Sequence, residues 1–196
     1  MKELLSSCLL LAVCLFSASE VSAKSLDYAL DPSSSIIEYD VKSTAHSFTG
    51  SVQAFESKIV MRDDQQGIQQ VIVTVPVMQM TTNHKARDED MLKMFESNLY
   101  PNIYFKSKEV SRIEGPKDVF LVGTFSVKGT LRIRNIERDI NFDLKSEMSN
   151  GNILASGEIP LDIRWFDLKP PTTLFGLIRV KKHITLRFTT QWKKVK

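Results

Sequence analysis

Almost every apolar stretch after residue 35 alternates with a period of two. Val71, Val73, Val75 and Val77 fall on one side of their segment, as do Ile103 and Phe105, then Ile140, Phe142 and Leu144, then Ile184, Leu186 and Phe188. The residues between them are mostly charged or hydroxylic, among them Lys106, Lys108, Asn141, Asp143, Lys145, Thr185 and Arg187. Successive side chains on a strand face opposite sides, so each segment reads as a strand with one dry and one wet face. Only residues 87–98 break into helical spacing. One short helix cannot cover a sheet, so the dry faces must cover each other in a sandwich or a closed barrel. A barrel that is wide enough has an apolar interior able to hold a ligand.

Residues 1–23 read as a secretory signal peptide. Met1-Lys2 is a short basic start, residues 4–16 are an apolar run too short to span a membrane, and Val21-Ser22-Ala23 is a small-residue cleavage site. Cleavage near Ala23 predicts a periplasmic or secreted protein of one domain, residues 24–196, long enough to bury a core. Cys8 and Cys14 leave with the leader, so the remainder has no thiol for a disulfide, a nucleophile or a thiolate metal site. The bulky Val13 before Cys14 argues against a lipid anchor there. The formal charge of the whole chain is only +3. Its densest basic cluster, Lys193, Lys194 and Lys196, reads as a solvated tail or as a transient contact with anionic membrane headgroups. No basic stripe interleaved with aromatics is present, which with the exported address argues against nucleic acid.

Strands are predicted at 36–42, 70–78, 103–113, 119–128, 130–134, 138–148, 153–163 and 180–192. Residues 48–61 read as a turn at Gly50 followed by a strand. Gly115-Pro116, Asn135 and Asn150-Gly151 mark turns, and Asn-Gly between alternating runs is a strong hairpin signal. In the helical segment, Asp88, Glu89 and Asp90 occupy the first turn, where carboxylates complement exposed amides. Met91, Phe95 and Leu99, with Leu92 beside them, form an apolar stripe, and Tyr100-Pro101 ends the helix. Such a helix would close one barrel end and form part of a pocket wall. The irregular segment 164–176 carries Trp165, Phe166, Leu174 and Phe175, which would fold over a barrel mouth.

Catalytic and metal-binding patterns are scarce. His46, His84 and His183 show no ligand spacing with one another or with carboxylates on one element. His183 reads as a polar-face strand residue, whereas His46 and His84 fall in loops, where function concentrates. No serine sits in a nucleophile elbow, and no glycine loop would cradle phosphate. Asp162 and Asp167 are near in sequence, but without a pocket to perturb them they do not suggest acid–base work. No enzyme activity, cofactor or metal is therefore expected. Arg87-Asp88 has two readings: a weak surface pair, or a structural anchor in which Arg87 bonds rim carbonyls while Asp88 caps the helix. Either fixes the helix over the mouth.

Thr82-Asn83, Arg87-Asp88, Met91-Leu92, Tyr100-Pro101, Ile103 and Phe105-Lys106-Ser107 together resemble the signature block of the YceI-like family of exported, lipocalin-like proteins that bind polyisoprenoids. Leu30-Asp31-Pro32, Ser35-Ile36-Ile37, Phe48-Thr49-Gly50 and Phe55 are similar to that family's first strands, and residues 123–129 to its middle hairpin. The late segment departs from the family's usual run, with Arg164-Trp165-Phe166-Asp167-Leu168 followed by two prolines. That difference concerns the mouth, and through it ligand identity, more than the fold. The resemblance implies an all-β, lipocalin-like antiparallel barrel of about eight strands, capped at one end by a short helix and a loop. It also implies a long-chain isoprenoid ligand with a quinone or polyprenyl character, and a capacity to pair as a homodimer.

The expected function is that of a carrier that shields such a lipid. Its expected contacts are Tyr39, Phe55, Val73, Val75, Leu92, Phe95, Ile103, Phe105, Phe120, Phe142 and Leu144, with Phe166 and Phe175 closing the mouth. The competing reading is a barrel filled by its own side chains that serves as a stress-related protein-interaction module.

Overall fold

The computed structural model describes residues 28–61, 67–170 and 179–194; the leader, Phe175 and Lys196 lie outside them. Ten strands form one antiparallel sheet: β1 (Tyr28–Leu30), β2 (Ile36–Ser43), β3 (Ser47–Val52), β4 (Glu56–Met61), β5 (Ile68–Pro76), β6 (Asn102–Glu114), β7 (Gly123–Ile133), β8 (Ile136–Ser149), β9 (Asn152–Asp162) and β10 (Val180–Lys194). The hydrogen-bonded order runs β3-β2-β10-β9-β8-β7-β6-β5-β4, with β1 also on β10. The two edges of this path, β3 and β4, follow one another in the chain across three residues, so the curled sheet comes round on itself at a bent strand, with no ladder between β3 and β4 among the described residues.

Two of the staves are bent strands. β1 and β2 both run antiparallel to β10, pairing Leu30 with Trp192 and Ile36 with Thr189. Residues 47–61 do the same job at the closure: β3 pairs with β2, and after a kink at Gln53–Phe55 the strand continues as β4 against β5. Ten elements therefore make eight staves. The expected turn at Gly50 is instead strand interior, with the bend three residues later.

Gly50 and Gly129, both read from the sequence as interruptions, continue their strands because a ring from the neighbouring strand lies over each. A Cβ on Gly50 would fall within 2.4 Å of the Tyr39 ring, and one on Gly129 2.6 Å from the Phe105 ring. Gly157 repeats the pattern under Phe188. Strand glycines commonly mark such close approaches. Here they let three inward aromatics lie down along the wall rather than stand into the lumen. By contrast, Asn150 and Gly151 are a true turn, both at positive φ (52° and 76°), as the Asn-Gly hairpin signal requires.

The helix α1 (Lys85–Met94) connects β5 to β6 across one end of the barrel. It starts two residues earlier than expected and stops four earlier, because Glu96 takes a left-handed φ of 51°. Leu99 consequently leaves the apolar stripe and is 72 % exposed, whereas Met91 and Phe95 are buried. The packed core lies beneath this helix, joining Tyr39, Val77, Met91, Phe95, Leu161 and Phe166. At the opposite end Lys193 Nζ reaches Asp31 at 2.7 Å, and the C-terminal strand is held there beside β1.

Gly157→Val should test the glycine–ring arrangement. Its Cβ would meet the Phe188 ring at 2.7 Å and the fixed Asp143 carbonyl at 2.9 Å. Overpacking of this kind costs about 1–3 kcal/mol, and the expected readout is a lower urea midpoint at unchanged slope.

Candidate functional site: a hollow apolar lumen

The barrel encloses a cavity of about 520 Å³. Side chains from every stave and from α1 line it. Inward-facing Val71, Val73, Val75, Ile184, Leu186 and Phe188 are only partly buried, because they face open space rather than one another. That distinguishes this interior from a close-packed core, in which such residues would be fully covered. The cavity lies within the ~300–1,000 Å³ range usual for small-molecule sites. Its walls run along β10 from Ile184 to Trp192, eight residue steps or about 26 Å of strand at ~3.3 Å per residue. The lumen is thus long and narrow.

Most of the expected contacts reach it. Tyr39, Phe55, Val73, Val75 and Phe95 line the cavity, as do Ile103, Phe105, Phe142, Leu144 and Phe166. Two expectations need correction. Leu92 packs against the core from the flank of α1 but does not line the lumen; the helix presents Arg87, Asp90, Met91 and Met94 instead. Phe120 lies in a turn, where Val122 N–H donates to the Val119 carbonyl, and β7 begins only at Gly123. Strand alternation does not apply there, and Leu121 reaches the lumen in its place. Phe175 lies outside the described residues.

Ile184, Leu186 and Phe188 also line the wall beyond the expected contacts, and their alternation in the sequence is as clear as that of the residues expected there. Val110 was hidden by a register shift between Ser107 and Glu109, which inverts the facing parity of the strand beyond it. Ser107, 1 % exposed, fills this irregularity and accepts a hydrogen bond from Val71 N–H at 2.7 Å.

Hydroxyls of Ser57, Ser146 and Thr190 are scattered along the wall, but the charged and imidazole lining groups gather at the helix end: His46, His84, Arg87 and Asp90, with Ser43 and Thr82 beside them. A dense set of contacts holds them. Asp88 turns back from the helix to the preceding link, accepting from Thr81 Oγ1 (2.8 Å) and from Thr82 N–H (2.7 Å). Arg87 donates through Nε to Thr82 Oγ1 (2.8 Å) and through Nη2 to the Thr82 carbonyl (3.3 Å), and its guanidinium lies 3.9 Å from the Phe48 ring centre. Asp88 does not cap the helix as expected. The N-cap is His84, whose Nδ1 accepts from Arg87 N–H at 3.4 Å.

The link itself closes the barrel edge, since Ser51 and Thr81 exchange two backbone hydrogen bonds. Tyr39 donates its hydroxyl to the Thr81 carbonyl at 3.1 Å and sits 3.2 Å from Met91 Sδ. At the other helix end, Glu96 pairs with Arg134 of the β7–β8 hairpin at 3.0 Å. The helix therefore spans the mouth from β3 to the far wall.

A model of the YceI-like domain matches residues 28–192. The chain belongs to the YceI-like family. Among solved structures it is similar to Burkholderia cenocepacia BcnA, at TM-score 0.68 and 13 % identity, covering 83 % of this chain and 98 % of that one. A polyisoprenoid binding domain from Saccharophagus degradans, implicated in plant cell wall breakdown, gives TM-score 0.68 at 13 % identity over 86 % and 99 % of the two chains. The Campylobacter jejuni YCEI protein gives 0.58 at 18 % identity over 72 % and 82 %. At these identities the structures show a shared fold. No curated protein matches.

Burial pushes the Asp88 carboxyl up, but the hydrogen bonds from Thr82 and Thr81, with the Arg87 charge, outweigh it and hold the group below its ordinary value. The side-chain hydrogen bond from Arg164 holds Asp162 down at about 2. Both folded values lie below the unfolded carboxylate value of ~3.9. Each group thus contributes stability that is present above about pH 4 and is lost as pH falls through the folded value. Thermal unfolding followed from about pH 5 to pH 2 should show this decline, and Asp88→Asn should flatten part of it. Asp88→Ala leaves the Thr82 amide unsatisfied, which costs about 1–3 kcal/mol and should appear as a lower unfolding midpoint at pH 7.

Proposed function

We propose that this protein sequesters or carries a long isoprenoid lipid, of quinone or polyprenyl type, in its lumen. The observation that carries this reading is the unfilled interior: a narrow, mostly apolar tube whose charged lining groups gather at the helix-covered end. An isoprenoid has the matching form, a slender branched hydrocarbon with one polar head. Each methylene removed from water contributes ~0.8 kcal/mol, so a multi-unit tail gains ample free energy from such walls without specific hydrogen bonds. The likeness to a domain described as polyisoprenoid binding supports the same ligand class. The leader-like residues 1–23 support action in the periplasm or outside the cell. Binding and shielding require no catalytic group.

Protein purified from bacterial periplasm should carry a co-purifying lipid, seen by native mass spectrometry and recovered by organic extraction. Ala155→Trp, with Leu144→Trp as a second variant, places bulk in the tube. Displacing two or three methylenes of ligand contact lowers affinity by about ten-fold or more, and the variants should lose the lipid while remaining folded. Absence of any bound lipid from the wild-type protein, or full retention in both folded variants, would contradict the reading.

A further inference from the structure

The surface beside the mouth has a feature that the lumen does not explain. Trp165, in the 3₁₀ turn at Ile163–Phe166, is 46 % exposed although its neighbour Phe166 is 1 % exposed. It borders a groove on the outer wall formed with Lys42, Pro160, Lys181 and His183. Exposed Arg164 and Lys169 flank Trp165 in the chain on the same end. The carboxylates there already face cations: Asp40 meets Arg187 at 3.1 Å, Asp162 meets Arg164 at 2.6 Å, and Asp167 meets Lys169 at 3.8 Å. Among the described residues, no ion pair ties Lys42 or Lys181 to a carboxylate. Two further exposed apolar side chains, Met78 and Leu99, belong to this same end, at 61 % and 72 % exposure. The remaining two, Ile113 and Met148, lie at the opposite end, next in sequence to Glu114 and Glu147.

We infer that the mouth end docks on an anionic phospholipid bilayer, with Trp165 entering the interfacial layer and Lys42 and Lys181 facing lipid phosphates. Trp is suited to that boundary because it combines a large apolar body with one polar group, and unpaired lysines are drawn to an anionic surface. The purpose of the contact rests on the lipid-carrier reading: a tail that passes from bilayer to lumen at a seated mouth never has to cross water. The geometry of the contact does not depend on that reading. It also places the membrane-facing side at the end opposite Lys193, which is already paired with Asp31 at 2.7 Å.

The test is co-sedimentation of the full protein with vesicles of phosphatidylcholine alone or of phosphatidylcholine with phosphatidylglycerol. Binding is expected only to the anionic vesicles and should weaken as salt is raised. Each lysine near an anionic surface supplies roughly a five-fold factor, so Lys42→Ala/Lys181→Ala should weaken partitioning roughly twenty-fold or more. Trp165→Ser should also weaken it, whereas Lys193→Ala/Lys194→Ala should not. Equal binding by all variants, or loss only in the C-terminal pair, would overturn the inference. Lipid content measured on the same preparations separates the two proposals: docking without a cavity lipid sinks the carrier, and a cavity lipid without docking sinks only this surface.

Discussion

The structure depends on a mismatch between circumference and filling. Eight staves fix the girth of the barrel, and its width then follows from strand number and tilt. Inward side chains of ordinary size could still have met in the middle. They do not, partly because three of the bulkiest rest flat on glycines of neighbouring strands. Tyr39 over Gly50, Phe105 over Gly129 and Phe188 over Gly157 cover the wall without occupying the axis. The apolar surface left facing the lumen is the physical basis of everything proposed about a ligand.

An open tube needs an end that admits one molecule and excludes water, and α1 supplies it. Intrinsic propensity would hardly order a ten-residue helix by itself. Its position comes from contacts outside it: Asp88 and Arg87 on Thr82, Tyr39 against Met91, and Glu96 on Arg134. The same link that receives Asp88 also pairs with β3. Helix placement and barrel closure are therefore one event, and weakening either should loosen the other.

The strands and their facing were legible because period-two alternation is a local property, visible in Val71 to Val77 without knowing any neighbour. Positions that depended on another strand were not. Gly50 and Gly129 look like breaks until the ring from the adjacent strand is known, and Val110 looks misplaced until the register shift near Ser107 is known. Phe120 falls outside the lumen because its segment is a turn, where alternation carries no information. At the helix, carboxylates in the first turn pointed to Asp88 as the cap, but Thr81 and Thr82 compete for that carboxylate and His84 takes the capping position. The more specific part of the family resemblance, from Arg87-Asp88 to Tyr100-Pro101, includes this clamp, whose residues are specific in type yet reveal their partners only in three dimensions.

Closure by a kinked strand has a mechanical corollary. Along residues 47–61 the wall changes partner midway, and β1 meets β4 without a laddered pairing among the described residues. That lengthwise join is held by a bend and by the two-bond Ser51–Thr81 bridge, where the other seams carry continuous backbone ladders, so it is the part of the wall with the fewest hydrogen bonds to break.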